Sequence, residues 1–157
     1  MANGDTRSVV AWLADGIRST VQPQQVLAEL CERLIACGVP LWRVAVFVRT
    51  LHPQIMGLRF LWRPGAAVEM REAPFAILDT AEFRESPVTH VTAHGGALRR
   101  RLADPDCPRD FPFLGELSAE GGTDYYAAPL VFTDGSIHTA SWATRQPGGF
   151  SDAELAG

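Results

Sequence analysis

The chain of 157 residues is 46% hydrophobic and 20% charged, a balance typical of one folded globular domain rather than of a disordered chain. Its formal net charge of -4 argues against a general attraction to nucleic acid, and no apolar run approaches the ~18 residues that cross a bilayer. The three cysteines, an odd number, argue against a disulfide framework. The N-terminus has no signal-peptide pattern, so we expect a cytoplasmic protein without membrane contact.

Two helical patterns occur near the N-terminus. Residues 8–20 place an apolar side chain at every fourth position, which predicts an amphipathic helix. This stripe consists of Val9, Leu13, Ile17 and Val21. Pro23 suits the first turn of a second helix, because its missing N–H needs no partner there. Gly38 is the residue type that ends helices in the left-handed conformation, so we expect the second helix to end just before it.

From residue 43 the pattern changes to the two-residue period of β-strands. Alternating stretches predict strands at 43–51, 58–63, 68–72, 97–102, 124–132 and 137–145. The last two flank Asp134-Gly135, a dipeptide typical of tight β-hairpins. Helices are expected at 80–84, with Thr80 as the cap, and at 87–94 and 111–121. Ser151 and Glu154 form a capping box that begins a final helix.

This order of elements predicts an α+β fold in a single domain, residues 1–157, with an ordered core at 8–155. We expect a central antiparallel sheet of five to six strands flanked by helices, with the N- and C-terminal helices on one side. The final helix begins shortly before the last residue of the sequence, which leads us to expect a further domain after it.

Four stretches together resemble a known family. They are VLAELCERLIACGVPLWRVAVFVRTLHPQIMG, RFLWRPG, RRRLADPDCPRDFPFLGELSAEGGTDYYAAPLVFTDG and ASWATRQPGGFSDAEL. Over residues 8–155 the chain resembles the N-terminal GAF-like domain of bacterial class III adenylate/guanylate cyclases. The resemblance implies a GAF-like fold, a regulatory input role, and a cyclase catalytic domain that follows in the natural protein.

The chain itself is not expected to be an enzyme. Class III cyclases need two metal-binding aspartates on adjacent strands and an Asn-Arg pair, and no stretch here matches those motifs. His90 and His94 have the i,i+4 spacing of helical zinc ligands, but surface or structural histidines are the alternative. A third ligand would have to be Cys107 or His138, so we expect no metal and no cofactor.

The resemblance implies that a small-molecule ligand binds between the sheet and the short middle helices. The candidate contacts are aromatic residues and one edge arginine, namely Phe47, Trp62, Arg99, Phe113, Tyr126 and Trp142. The alternative for the aromatic side chains is plain core packing. For Arg99, which begins the run Arg99-Arg100-Arg101, the alternative to an anion site is a solvated sheet edge.

The stripe formed by Val9, Leu13 and Ile17 either packs on the sheet or pairs with a second copy of the chain. Since class III cyclases act as dimers, the resemblance implies a homodimer with this stripe at its interface. Three hypotheses therefore stand. The chain is a sensor of a small molecule or partner that controls cyclic-nucleotide synthesis through dimer helices, a ligand-free dimerisation scaffold, or a small redox enzyme that uses Cys107.

Overall fold

A computed structural model describes residues 6–16 and 22–156, which contain six α-helices and six β-strands. The helices are α1 (Thr6–Gly16), α2 (Pro23–Ala36), α3 (Ala81–Arg84), α4 (Pro87–His94), α5 (Pro112–Ala119) and α6 (Asp152–Ala156). The strands are β1 (Arg43–Arg49), β2 (Ile55–Trp62), β3 (Glu69–Pro74), β4 (Leu98–Arg100), β5 (Asp124–Val131) and β6 (Ile137–Thr144). A 3-10 helix, Phe75–Asp79, precedes α3. None of these helices is long and apolar enough to cross a membrane.

The strands form one antiparallel sheet with the order β3-β2-β1-β6-β5-β4. Val44 on β1 lies opposite both Trp62 on β2 and Trp142 on β6, and Tyr126 on β5 also lies opposite Trp142. Because side chains alternate between the two sides of a strand, these four residues share one face of the sheet. The predicted antiparallel sheet of an α+β fold is confirmed.

Helices cover both faces of the sheet. On one, which we call the terminal-helix face, α2 and the segment leading into α6 pack around Leu27, Cys31, Leu41, Val44, Phe60, Trp62 and Phe150. On the other, which we call the middle-helix face, α4 and α5 pack around Val91, Leu98, Leu102, Cys107, Phe111, Leu114, Leu117, Tyr125, Ala127 and Ala143. The N- and C-terminal helices therefore lie on one side, as predicted.

Local sequence signals explain where several elements begin and end. Gly38 follows α2 with φ at 94°, and Gly135 has φ at 82° in the turn between β5 and β6. Ser151 Oγ accepts a hydrogen bond from the Glu154 N–H at 3.2 Å. Glu154 Oε2 in turn accepts one from the Ser151 N–H at 2.7 Å, so the predicted capping box is present.

Some boundaries differ from the predictions. β2 begins at Ile55, ahead of predicted residue 58, because Thr50 closes the preceding turn with a hydrogen bond to the Ile55 carbonyl. β4 ends at Arg100, since Leu102 turns into the core and is only 3% exposed. The 3-10 helix has no counterpart in the predictions, because five residues carry too little periodicity to indicate a helix.

Candidate functional site

A cavity of about 330 Å³ lies on the middle-helix face, between strands β1, β2 and β6 and the layer formed by the 3-10 helix, α3 and α4. Its volume falls at the lower end of the ~300–1,000 Å³ typical of small-molecule sites. The wall is mostly apolar. It consists of Phe47, Arg49, Met56, Leu78, Phe83, Val88, Thr89, Thr92, Ala93, Ile137 and Thr139.

Side-chain caps hold the two short helices above this cavity. Thr80 Oγ1 accepts a hydrogen bond from the Phe83 N–H at 3.3 Å and so caps α3, as the sequence predicts. Ser86 Oγ accepts one from the Thr89 N–H at 3.2 Å, and Pro87 occupies the first turn of α4. Thr89 Oγ1 also donates to the Phe83 carbonyl at 2.6 Å, which joins α3 to α4.

Two hydroxyl groups meet in the cavity wall. Thr92 Oγ1 donates to the Val88 carbonyl at 2.8 Å and lies 3.1 Å from Thr139 Oγ1. Because a hydroxyl has a single proton, Thr139 is the donor in the hydroxyl pair. The Thr139 oxygen, in a residue only 1% exposed, keeps acceptor capacity. The cavity therefore offers one buried acceptor to a ligand.

Arg49 supplies the charged side chain of the wall, and its backbone is held by a histidine. His138 Nδ1 accepts a hydrogen bond from the Arg49 N–H at 2.9 Å, so the neutral ring carries its proton on Nε2. That nitrogen lies 3.2 Å from Ser136 Oγ, which donates to Asp134 at 2.5 Å. This chain of contacts ties the end of β1 to the β5–β6 hairpin.

The six predicted ligand contacts do not come together in one site. Phe47 lines the cavity. Phe113 lies on the same face but packs edge-on against Tyr125, with 6.0 Å between ring centroids, and is not part of the cavity wall. The remaining aromatic candidates lie on the terminal-helix face, namely Trp62, Tyr126 and Trp142. Which face they occupy follows from the pairing of β1 with β6, and no local sequence pattern shows that pairing.

Arg99, the sixth candidate, is engaged by partners within the chain. Its guanidinium lies 2.7 Å from Asp124 Oδ2, and the Asp124 side chain is 0% exposed. It also donates to the Phe150 carbonyl at 2.6 Å and to Asp152 at 3.1 Å. The hydrogen bond to Asp124 raises the pKa of Arg99. Both the anion site and the solvated edge expected at this position are therefore replaced by a link between β4, β5 and α6.

Sequence analysis missed several residues of the cavity wall, among them Met56, Thr92, Ile137 and Thr139. The hairpin turn at Gly135 indicates that Ile137 and Thr139 share a face of β6, but not which helices cover that face. Met56 lies before the predicted start of β2, so the alternating pattern of that predicted strand did not include it.

The predicted dimer stripe lines a second cavity, of about 350 Å³, between α1, α2, α6 and the sheet. Val9 and Leu13 both face this cavity, and Val9 is 4% exposed, so this part of the stripe packs inside the chain. Val10 also lines this cavity, although 56% of its surface remains exposed. Ile17 and Val21 lie outside the described residues. The homodimer stays a prediction.

The metal and redox hypotheses depend on His90, His94 and Cys107. The two imidazole rings stack with 4.2 Å between centroids, and His94 Nδ1 lies 2.8 Å from the His90 carbonyl. Within residues 6–16 and 22–156, no group of three or more metal-ligating side chains occurs. Cys107 is buried, and burial raises the pKa of its thiol. A protonated, buried thiol is a poor nucleophile, which disfavours a redox centre there.

Two solved structures with a similar fold are GAF domains. The GAF domain of a two-component sensor histidine kinase from Bacillus halodurans is 14% identical, with a TM-score of 0.52 over 83% of this chain and 84% of that chain. The phycocyanobilin-bound GAF domain from a cyanobacterial phytochrome is 16% identical, with a TM-score of 0.60 over 97% of this chain and 86% of that chain. No family model and no curated protein matches the chain. The likeness shows a GAF-like fold.

Proposed function

We propose that this GAF-like chain is a non-catalytic sensory domain, which binds a small molecule in the middle-helix cavity and regulates a neighbouring domain. The proposal rests on one observation, the cavity of about 330 Å³ with an apolar wall and the buried Thr139 acceptor. Apolar concave sites with a few placed polar groups are the usual form of small-molecule sites. One neighbour of similar fold belongs to a sensor histidine kinase and the other holds a bound phycocyanobilin, which supports a sensory, ligand-binding role here.

The cavity wall defines the chemistry of the ligand. Phe47, Met56 and Val88 favour an apolar body, because burial of apolar surface contributes about 25 cal/mol per Å². Thr139 favours a ligand with one hydrogen-bond donor on that body. The Thr139 oxygen is buried, and a buried acceptor is stabilised when a ligand donor satisfies it.

A path from the cavity to α6 runs through α4 and β4. Val88 and Thr92 place α4 in the cavity wall, and Gly95 ends that helix just before β4. Arg99 on β4 then binds both Asp124 and the start of α6 at Asp152. A ligand that moves α4 would therefore also change the position of α6. This requires that the ligand bind the two arrangements of α4 and α6 with different affinities.

We further propose that the regulated domain is a class III adenylate/guanylate cyclase catalytic domain, and that the whole protein acts as a homodimer. The support is the resemblance of residues 8–155 to the N-terminal domains of such cyclases. In this arrangement α6 passes the ligand signal to the dimer helices and changes the rate of cyclic-nucleotide synthesis.

Native mass spectrometry of the purified protein, compared with its denatured mass, tests the ligand site. A bound molecule should add mass that disappears on denaturation. Val88→Trp should fill the cavity and remove the added mass, whereas Val131→Trp, at a position that is 71% exposed, should leave it. Thr139→Val should weaken retention without overfilling the cavity.

Either of two results would count against the sensor proposal. Added mass that persists in Val88→Trp would show that the molecule binds elsewhere. The ligand-free scaffold would be favoured instead if the protein were a dimer without added mass. In that case, no apolar compound with a hydrogen-bond donor would stabilise the protein in a thermal screen.

A further inference from the structure

Arg49 is the charged member of the wall of the middle-helix cavity; the other described residues of that wall are apolar or carry a threonine hydroxyl. Arg49 follows Phe47 by two positions on β1, and since side chains alternate along a strand, both lie on the middle-helix face. Arg49 is exposed, so it stands where the cavity opens to solvent. A cation at the mouth of an apolar cavity favours the entry of a molecule with a negative group.

The guanidinium of Arg49 has no partner in the chain. Its backbone N–H is held by His138 Nδ1 at 2.9 Å, but across residues 6–16 and 22–156 its guanidinium forms neither a hydrogen bond nor an ion pair. Opposite charges in a sheet usually meet across neighbouring strands, and Arg49 lies opposite Gly57 on β2. A Cβ at position 57 would lie 2.5 Å from the Val48 carbonyl oxygen, so no carboxylate side chain fits there.

The acidic residues on the neighbouring elements do not supply the missing partner. Asp79 in the 3-10 helix lies 3.4 Å from Arg84. Asp134 accepts hydrogen bonds within its own turn between β5 and β6. Glu82 and Glu85, in and just after α3, are exposed and do not line the cavity. The positive charge of Arg49 is therefore not neutralised by direct contact with any described carboxylate.

We propose, on the basis of the proposed function, that the molecule bound in the middle-helix cavity is a small apolar carboxylic acid. Its carboxylate binds Arg49, and its apolar body lies against Phe47 and Met56. A guanidinium group donates two parallel N–H hydrogen bonds to a carboxylate, which fixes the orientation of the bound acid. One cation matches the single negative charge of a carboxylate better than the charge of about −1.5 to −2 on a phosphate group.

The positions of Arg49 and Thr139 set the length of this acid. Thr139 lies directly opposite Phe47, and Arg49 is two residues further along β1, about 7 Å away at ~3.3 Å per residue. A molecule that donates a hydrogen bond to Thr139 and places a carboxylate at Arg49 therefore carries the two groups at opposite ends. A benzene ring with a hydroxyl group and a carboxylate-bearing group in para positions has this form, and its size suits a cavity of about 330 Å³.

Isothermal titration calorimetry of the whole chain tests the charge of the ligand. The probes are para-hydroxyphenylacetate and octanoate, each compared with its neutral amide, and para-hydroxyphenyl phosphate. We expect an acid to bind the wild type at least about 10-fold more tightly than its amide, because hydrogen bonds between charged groups are roughly twice as strong as neutral ones. We also expect this preference to decrease with salt, since Arg49 is exposed.

Three arginine variants locate the effect. Arg49→Gln should remove the preference for the acid and leave the Kd of the amide unchanged, whereas Arg49→Lys should keep part of the preference because it keeps the charge. Both should fold, since the contact with His138 uses the backbone N–H. Arg101→Gln removes an arginine from an exposed position beyond β4 and should bind both probes as the wild type does.

The outcomes separate a failure of the carboxylate from a failure of the cavity. Equal binding of acid and amide that is lost in Val88→Trp would overturn the carboxylate but keep the proposed function. So would an acid preference that survives in Arg49→Gln. Tighter binding of the phosphate than of the acid would identify a phosphate ligand instead, and no binding of any probe would also overturn the inference. Binding of both probes that persists in Val88→Trp would count against the cavity itself.

Discussion

Asp124→Asn should cost much more stability than the same exchange at Asp152. Both carboxylates bind Arg99, at 2.7 and 3.1 Å, but the Asp124 side chain is 0% exposed and that of Asp152 is 92% exposed. Breaking a buried ion pair costs ~3–5 kcal/mol, because the remaining charge loses its partner. Arg99 keeps 21% exposure and can be partly rehydrated, so we expect the lower end, about 3 kcal/mol. The exposed pair with Asp152 should contribute less than about 1 kcal/mol.

Urea and thermal unfolding measure both losses. For a chain of this size, about 3 kcal/mol corresponds to a fall in Tm of roughly 6–12 °C, while Asp152→Asn should lower Tm by less than about 4 °C. The urea m-value should not change, because neither exchange alters the surface exposed on unfolding. Equal losses for the two variants, or a loss below about 1 kcal/mol for Asp124→Asn, would refute the argument that burial of the pair sets its contribution.

Two further measurements test the packing near α6 and in the core of α2. Gly149→Ala should lower the urea midpoint more than Gly148→Ala. Both glycines have positive φ, so an alanine at either position adds ~1–2 kcal/mol of backbone strain. Only the Cβ at position 149 would also lie 2.5 Å from Asp124 Oδ2. Equal losses would show that backbone strain alone matters. Burial raises the pKa of Cys31 to about 12. A thiol reagent should therefore modify Cys31 only after unfolding, whereas it should modify the half-buried Cys37 in the native state. Equal rates of modification of the two cysteines in the native protein would contradict this.

Features that depend on near neighbours in the chain could be predicted. The cap at Thr80, the capping box at Ser151 and Glu154, and the turn at Gly135 each join residues no more than three positions apart. Such interactions are visible in a short window of sequence, and they fixed most element boundaries to within a few residues.

Features that depend on strand order could not be predicted from local patterns. Trp142 and Tyr126 alternate as expected, but their position against α2 rather than the middle helices depends on the pairing of β1 with β6. Arg99 finds Asp124 across 25 positions, so a run of three arginines resembled a free cationic edge. Within the described residues, the buried Arg43 Nε has no hydrogen-bond partner, and this too is a property of the packed core and not of the sequence around it.

The contacts of Arg99 and Asp124 also set the rotational phase of α6. Asp124 Oδ2 accepts the Phe150 N–H at 3.0 Å, and Arg99 donates to the Phe150 carbonyl, so the backbone is held on both sides just before the helix begins. Each helical residue turns the chain by ~100°, so any surface carried on a helical continuation of α6 has a direction fixed at Phe150. Inserting one residue would rotate that surface by ~100°, whereas inserting seven would turn it by only ~20° from its original direction.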